Sequence, residues 1–259
     1  MTKTVDYAKF YDEHSKYQEL RKSESISRKK NLKEVDEYKN KYLSELVPTN
    51  IRFNTILEVG CATGDIISRF PIDIPPKNRY GIDISPKNIE FAKNEYNDVN
   101  FFDSNFEDFL KSKGKNIEMD IIILSDILEH VENDLDLLKM AGNYAKYVLV
   151  NIPMEKCWRN RIRKYGINDR SGHLRAYDID DVEKLIANAK LKNINFIQRY
   201  FCREPLYKKH LKERLLKNTS MFNLLVNRIP KYIILLIMAM LFYKWFNPSN
   251  FFGLLSKST

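Results

Sequence analysis

The chain has 259 residues, of which 44% are apolar, enough for one catalytic-sized α/β domain with additions. Its three cysteines (Cys61, Cys157 and Cys202) lie too far apart for a disulfide framework or a paired zinc site, and its amino-terminal stretch is too polar and acidic for a signal or transit peptide, so we expect a cytoplasmic protein. The net charge of +9 is concentrated in residues 201–259, where ten Lys and Arg face two Glu, and this predicts an anionic partner for that segment rather than for the whole fold.

Residues 1–48 are predicted to form charged helix. Aromatic and imidazole side chains are grouped near its start, namely Tyr7, Phe10, Tyr11, His14 and Tyr17. These side chains could line a binding pocket or simply pack on the core of the domain. The sequence leaves both interpretations open.

Between residues 49 and 202, short apolar runs alternate with amphipathic stretches, the pattern of a βαβ fold. One run, DIIIL, is continuous, as expected of a parallel strand that is buried on both faces. The predicted strands are Thr55–Val59, Tyr80–Ile84, Val99–Phe102, Asp120–Leu124, Tyr147–Ile152 and Ile194–Tyr200. We therefore predict a doubly wound, Rossmann-like, mainly parallel sheet that binds its ligand at the carboxyl ends of the strands.

Helices are predicted between these strands. One begins at Ser85-Pro86, a capping residue followed by proline at the first helical position, and its apolar face holds Ile89, Ala92 and Tyr96. Two further apolar faces consist of Leu137, Leu138, Ala141 and Tyr144, and of Val182, Leu185, Ile186 and Ala189.

Acidic residues stand at the ends of four successive predicted strands: Glu58, Asp83, Asp103 and Asp126. After the first strand, Gly60 and Gly64 predict a tight turn whose backbone N–H groups can approach a ligand. Asp83 follows Gly64 by nineteen residues, about the spacing at which an acid accepts the ribose hydroxyls in βαβ nucleotide sites.

This turn disfavours a dinucleotide. The dinucleotide fingerprint G-x-G-x-x-G/A reads Gly60, Ala62 and Asp65 here. Asp65 and Glu58 would place two carboxylates where a pyrophosphate needs amide donors and positive charge. An adenosine ligand with a cationic sulfonium and an ammonium group suits these acids better, so S-adenosylmethionine is the favoured cofactor.

Four stretches, ILEVGCATGD, YGIDISP, FFDSNFEDF and SDILEHV, resemble in order and spacing the class I S-adenosylmethionine-dependent methyltransferases, over about residues 50–200. The last stretch, with GHLRAYDIDDVEKLI downstream, is similar to the type 11/23 group that includes the ubiquinone-biosynthesis O-methyltransferases. The resemblance implies a seven-stranded sheet with an antiparallel last strand, for which Asn250–Lys257 is the candidate. It also implies that residues 1–48 cap the pocket.

The resemblance further implies that the glycine turn frames the methionine part of the cofactor, the end of the second strand holds the ribose and adenine, and the end of the third lies near the adenine edge. The implied cofactor residues are, in that order, Glu58, Gly60, Cys61 and Gly64, then Asp83 and Ile84, then Asp103, Ser104 and Asn105, with Asp126 after the fourth strand. Asp103 could instead be a plain helix cap. Ala62 stands where the family often has glycine, and we expect binding to survive the additional methyl group.

His130 and His173 are the candidate general bases for a hydroxyl acceptor, because an unperturbed imidazole titrates near neutrality and both follow predicted strands. His130 is the first candidate, and its neighbour Glu129 is a further candidate catalytic residue. Either histidine could instead be a structural residue bonded to the backbone. Asp126, Glu129 and His130 could alternatively bind a divalent cation, as the related E-x-x-E-H stretch of quinone O-methyltransferases is thought to do, although the favoured site has no metal.

Two basic segments are candidates for contact with the methyl acceptor. The stretch KCWRNRIRK has five cations in nine residues, which suits a phosphate or other acidic group but also a solvated loop. Residues 203–248 combine a basic stretch with twelve apolar residues, Tyr232–Tyr243, too few to span a bilayer but suited to a monotopic helix on a membrane or to a buried helix. The predicted domains are a helical cap (1–48), the cofactor-binding core (49–202), a helical insertion (203–248) and the final strand (249–259).

The favoured hypothesis is a methyltransferase that acts on a hydroxyl oxygen of a small-molecule, glycan or lipid-linked acceptor, peripheral on the inner face of the plasma membrane. An RNA methyltransferase is an alternative, but RNA-binding faces interleave single aromatic residues with cations, whereas this segment has a long apolar run, so no nucleic-acid partner is expected. A noncatalytic membrane-associated protein that binds S-adenosylmethionine is a third possibility, against which the intact Glu58, Gly60, Gly64 and Asp83 argue.

Overall fold

A computed structural model describes residues 7–13, 26–166, 169, 171–200, 203–205, 209, 233, 237 and 248–258, and only the backbone of residues 26–33. The strands are β1 (Ile56–Val59), β2 (Arg79–Asp83), β3 (Asn100–Asp103), β4 (Met119–Ser125), β5 (Ala145–Met154), β6 (Leu191–Tyr200) and β7 (Ser249–Lys257). The helices are α1 (Tyr7–Glu13), α2 (Ile26–Glu45), α3 (Asp65–Arg69), α4 (Pro86–Glu95), α5 (Phe106–Ser112), α6 (Asp134–Tyr144) and α7 (Ile179–Asn188). Short 3-10 turns lie at Pro76–Asn78 and Trp158–Asn160.

The strands form one seven-stranded sheet in the order β3-β2-β1-β4-β5-β7-β6. Strands β1 to β5 are parallel, and β7 runs antiparallel to both β5 and β6. The predicted doubly wound sheet and its antiparallel last strand are therefore confirmed. The strand order reverses between β1 and β4, and open sheets of this kind bind ligands in the crevice at that point.

Helices cover both faces of the sheet, because successive strand residues point to opposite sides. On one face, Leu43 of α2, Ile67 of α3 and Ile89 of α4 pack in one buried apolar cluster. On the other face, Phe109 of α5 and Leu138 of α6 belong to a second cluster. This two-sided cover explains why all seven residues of β4 are buried.

The cap predicted at the start of α4 is confirmed. The Ser85 hydroxyl accepts the backbone N–H of Asn88 at the start of α4, with Pro86 at the first helical position. The apolar face predicted for α6 was wrong at Tyr144, whose side chain is 50% exposed. Gly142 faces the core instead, because Leu191 packs so closely on it that a Cβ at Gly142 would lie 2.5 Å from a Leu191 methyl carbon. Helices were predicted between the strands, but no apolar face was predicted for α3 or α5, since five and seven residues are too few to show a helical period.

Only a few residues of the predicted insertion at 203–248 are described. Its start is fixed to the core, because Glu204 accepts hydrogen bonds from Tyr42 of α2 and Arg199 of β6. Most of the apolar run, together with His14, Tyr17 and Cys202, lies outside the described residues. In the described part of the chain, no helix is long and apolar enough to cross a membrane.

Candidate active site

The turn between β1 and α3 has three residues with left-handed backbone conformations. The φ angles are +75° at Gly60, +47° at Ala62 and +83° at Gly64. A Cβ at Gly64 would lie 2.6 Å from the ring of Phe101, and one at Gly60 would lie 2.6 Å from Ile127. Glycine is therefore required at both positions, for the conformation and for the space.

Ala62 has the conformation that glycine adopts most readily, which accounts for the glycine that related proteins often have there. We expect Ala62→Gly to raise the free energy of unfolding by about 1 kcal/mol, because the strain of a left-handed alanine is relieved. Ala187→Gly, at an exposed position in the last turn of α7, is the control and should lower it by up to about 1 kcal/mol. Denaturant titration of both variants measures the effect, and an unchanged or lower stability of Ala62→Gly would contradict the strain argument.

Asp83, at the end of β2, connects the glycine turn to α4. Its two carboxylate oxygens accept the backbone N–H groups of Ala62 and Ser85, each at 2.9 Å. Burial raises the pKa of this carboxyl group, and the two backbone hydrogen bonds counteract that rise. Asp83 thus fixes the turn in place as well as presenting a carboxylate at the strand end.

Glu58 and Cys61 are buried beneath the turn rather than open to it. Glu58 accepts the backbone N–H of Ile67 in α3 at 3.1 Å, and burial raises its pKa to about 8. A carboxyl group with this pKa is mostly uncharged at neutral pH. Of the two carboxylates counted against a pyrophosphate, Glu58 is therefore a weak argument, and Asp65, the first residue of α3, forms an ion pair with Arg69 at 3.6 Å.

At the end of β3, the side chains have different roles. Asp103 is exposed, and the cap of α5 is Asn105, whose side chain accepts the backbone N–H of Asp108 at 2.9 Å. The backbone N–H of Ser104 donates to the Asp83 carbonyl oxygen at 3.0 Å, which fastens this loop to the end of β2. Ile84, half-buried, follows Asp83 directly.

Asp126 follows β4 with a φ of +49°. Its carboxylate accepts a hydrogen bond from Asn151 of β5 at 2.6 Å and forms an ion pair with Lys39 of α2 at 2.9 Å. Lys39 and Asn151 were not predicted as site residues. No local sequence signal marks Lys39, because the pair joins two distant parts of the chain.

Helix α1 lies across the site. Ser85 donates to Asp12 of this helix, the Tyr11 ring contacts the His130 ring edge-on at 5.9 Å, and the Tyr7 hydroxyl donates to Glu132 at 3.2 Å. The described amino-terminal residues therefore cover the loop after β4 and the start of α4.

The structure brings His130 and His173 together, with ring centres 4.7 Å apart and planes nearly perpendicular. His130 Nδ1 donates to the Gly172 carbonyl at 3.0 Å, and His173 Nδ1 donates to Glu155 at 2.7 Å. A carbonyl and a carboxylate can only accept, so each neutral ring keeps its lone pair on Nε2. Both histidines are therefore held in a tautomer that can take up a proton.

Glu129 completes this cluster. Its side chain is 1% exposed, and neither carboxyl oxygen has a hydrogen-bond partner among the described residues. Burial and the nearby Asp126 raise its pKa well above the usual range. Glu129, His130 and His173 each offer one ligand atom within 4.8 Å of the others, so these three side chains could hold a divalent cation. The predicted cation site also included Asp126, which is not in this set.

Lys156 and Arg163 of the basic loop after β5 form ion pairs with described acids. Lys156 pairs with Asp178 and Asp181, and Arg163 pairs with Glu155 and Asp169. Arg161 and Lys164 are exposed, with Ile162 between them at 83% exposure. Glu155 was not predicted as a site residue, although it follows β5 directly, as Asp126 follows β4.

Comparison with known proteins gives a consistent picture. A family model described as a methyltransferase domain matches residues 31–195, whereas a search of curated proteins finds no significant match. The cyclopropane synthase MmaA2 from Mycobacterium tuberculosis is 15% identical, with a TM-score of 0.56 over 99% of this chain and 100% of that chain. Magnesium protoporphyrin IX methyltransferase (ChlM) from Synechocystis PCC 6803, solved with bound SAH, is 10% identical, with a TM-score of 0.55 over 97% and 98%. A possible histamine N-methyltransferase from Thermotoga maritima is 12% identical, with a TM-score of 0.51 over 94% and 100%.

Proposed function

The chain belongs to the methyltransferase domain family, and from this premise we propose that it moves a methyl group from S-adenosylmethionine to a hydroxyl oxygen of a small-molecule, glycan or lipid-linked acceptor at a membrane surface. The chain is thus an S-adenosylmethionine-dependent methyltransferase. Structures with bound SAH and SAM are known for ChlM, which shares this fold. The proposal of a hydroxyl acceptor rests on His130 and His173, because the hydrogen bonds of their Nδ1 atoms orient both rings.

The residues at the strand ends fit S-adenosylmethionine. The glycine turn is a cradle that a Cβ at Gly60 or Gly64 would fill. Asp83 and the exposed Asp103 place carboxylates at adjacent strand ends, hydrogen-bond acceptors that suit ribose hydroxyls and a cationic ligand. When bound, this cofactor supplies an activated methyl group. The protein is left to align the acceptor and exclude water.

A hydroxyl acceptor must also lose its proton, which the histidine cluster can accept. His173 is placed before His130, in contrast to the expectation from sequence. Its Nδ1–H donates to a carboxylate in a charge-assisted hydrogen bond, whereas the His130 Nδ1–H donates to a neutral carbonyl. His173 is therefore the proposed base, and His130 lies against it.

The charges around this cluster support proton transfer rather than a bound cation. The Asp126 carboxylate has Lys39 as its counterion, and the Glu155 carboxylate has Arg163. Glu129 is the remaining acid, and burial with the nearby Asp126 raises its pKa, which disfavours a third carboxylate charge in this site.

Calorimetric titration tests the cofactor. We expect S-adenosylmethionine to bind the wild-type protein, and NADH and NADPH, as controls, not to bind. A preference for either dinucleotide would contradict the proposal.

The membrane part of the proposal is supported by the described residues of the segment 203–248. Ile233 and Ile237 are each helical and are 49% and 50% exposed. Exposed apolar side chains in a segment that also has a basic stretch suit the surface of an anionic bilayer. An acceptor delivered at a membrane would then reach the site directly.

We expect the double variant Ile233→Asp, Ile237→Asp to lose flotation with vesicles of phosphatidylglycerol and phosphatidylcholine, because two carboxylates would face the lipid. Ile194→Asp, at a 47% exposed isoleucine on β6, is the matched control and should float like wild type. Equal flotation of the double variant and wild type would place membrane contact elsewhere or rule it out.

A further inference from the structure

We infer that Glu155 is a positioning residue: it holds the His173 ring in the tautomer whose Nε2 can accept a proton, and it links that ring to the basic loop after β5. The functional meaning of this inference rests on the proposed methyl transfer. The placement of the ring rests on geometry alone.

Glu155 directly follows β5 and divides its carboxylate between two partners. One oxygen accepts from His173 Nδ1 at 2.7 Å, and the other accepts from Arg163 Nη1 at 2.7 Å. Only 16% of the Glu155 side chain and 13% of the His173 side chain are exposed, so water competes weakly for these hydrogen bonds. A carboxylate held on both oxygens cannot rotate away without breaking a charge-assisted bond.

Arg163 is itself held in place by a second acid. Its guanidinium forms two hydrogen bonds with Asp169, at 2.9 and 2.8 Å. The same Asp169 accepts the backbone N–H of Ser171 at 2.8 Å, just before His173 in the chain. Hydrogen bonds from Arg163 and from the backbone N–H groups of Ser171 and His173 lower the pKa of Asp169 to about 2, so this acid stays charged at all ordinary pH values.

Asp169, Arg163, Glu155 and His173 therefore form one chain of alternating charge that ends at the imidazole. A free imidazole exchanges its proton between Nδ1 and Nε2, whereas a carboxylate at Nδ1 fixes the proton there. The chain passes through the loop that exposes Arg161 and Lys164. The segment best placed to meet an acidic acceptor group thus also orients the proposed base.

The tautomer can be measured directly by ¹⁵N NMR of the histidine ring nitrogens in the full-length protein, without S-adenosylmethionine or a methyl acceptor. In wild type we expect the neutral His173 ring to carry its proton on Nδ1. In Glu155→Ala we expect the ring to change to a mixture in which the Nε2–H form is prominent. Glu155→Gln, whose amide oxygen can still accept the Nδ1 proton, should largely retain the wild-type form.

Glu118→Gln, at an acid that is 81% exposed and pairs only with Lys146 among the described residues, is the control for removing one charge. If Glu155→Ala does not fold, Glu155→Asp, which keeps the charge but withdraws it from the ring by one methylene, replaces it and should give partial tautomer exchange. An unchanged His173 signal in the folded variant would overturn the inference. Titration of S-adenosylmethionine into the same samples separates this result from the cofactor proposal, because the tautomer signal does not depend on cofactor binding.

Discussion

Asp83→Ala is expected to weaken S-adenosylmethionine binding by about 100-fold or more, the largest effect of any single change at the strand ends. The substitution removes the carboxylate proposed to accept the ribose hydroxyls of the cofactor, and also the acceptor for the backbone N–H groups of Ala62 and Ser85. A hydrogen bond to a charged group contributes about 1.5–3 kcal/mol, and a factor of ten in affinity corresponds to about 1.4 kcal/mol, so losing both ribose hydrogen bonds accounts for the expected effect. Calorimetric titration measures the loss, and thermal unfolding shows how much of it comes from a loosened turn.

Asp73→Ala is the control for this experiment, because Asp73 is an exposed acid that precedes β2 and lies outside the proposed site. Asp83→Asn should bind better than Asp83→Ala, since one amide oxygen remains to accept a backbone N–H, but worse than wild type, since the amide nitrogen would face the other. Wild-type affinity in Asp83→Ala would show that the cofactor does not depend on the end of β2.

The sheet could be predicted from sequence because its signals are local. A buried parallel strand such as β4 is a continuous apolar run, and Ser85-Pro86 marks the start of α4 by cap chemistry. Gly60 and Gly64 mark the turn through a backbone conformation that side chains rarely adopt. Such features depend on neighbouring residues, which a single sequence displays.

The remainder of the site could not be predicted because it depends on pairs that are distant in sequence. Lys39 reaches Asp126 only because α2 packs on the sheet, and Asn151 reaches it from β5. The charge of Glu58 depends on burial, which suppresses ionisation where composition suggests an anion. Glu155 lies between these cases, since its position after β5 was visible in the sequence but its two partners were not.

These distant pairs also explain the preference for His173 over His130. From the sequence both imidazoles are candidates, since each follows a predicted strand, and His130 is placed first. The structure distinguishes them by the acceptor at Nδ1, a carboxylate for one ring and a backbone carbonyl for the other. The difference in partner charge is what makes a test of the two histidines informative.

His173→Gln is expected to lower the rate of methyl transfer by about 10²- to 10⁴-fold, the usual contribution of a positioned general base. The glutamine amide can still donate to Glu155, so the charged chain with Arg163 should remain and S-adenosylmethionine should bind as in wild type. The measurement is transfer of a labelled methyl group from S-adenosylmethionine to a panel of phenolic, glycan and lipid-linked hydroxyl acceptors, with rates compared on the best of them.

The control for this prediction is His130→Gln, which removes the other imidazole of the pair and should have the smaller effect, because its Nδ1 lacks a carboxylate partner. Wild-type rates in His173→Gln would rule out this residue as the base. A rate that disappears in EDTA and returns with Mn²⁺ would instead assign the Glu129, His130 and His173 cluster to a cation, since three ligand atoms within 4.8 Å of one another suffice to hold one. With EDTA-resistant transfer and a large loss in His173→Gln alone, the proton must leave through the ring that Glu155 orients.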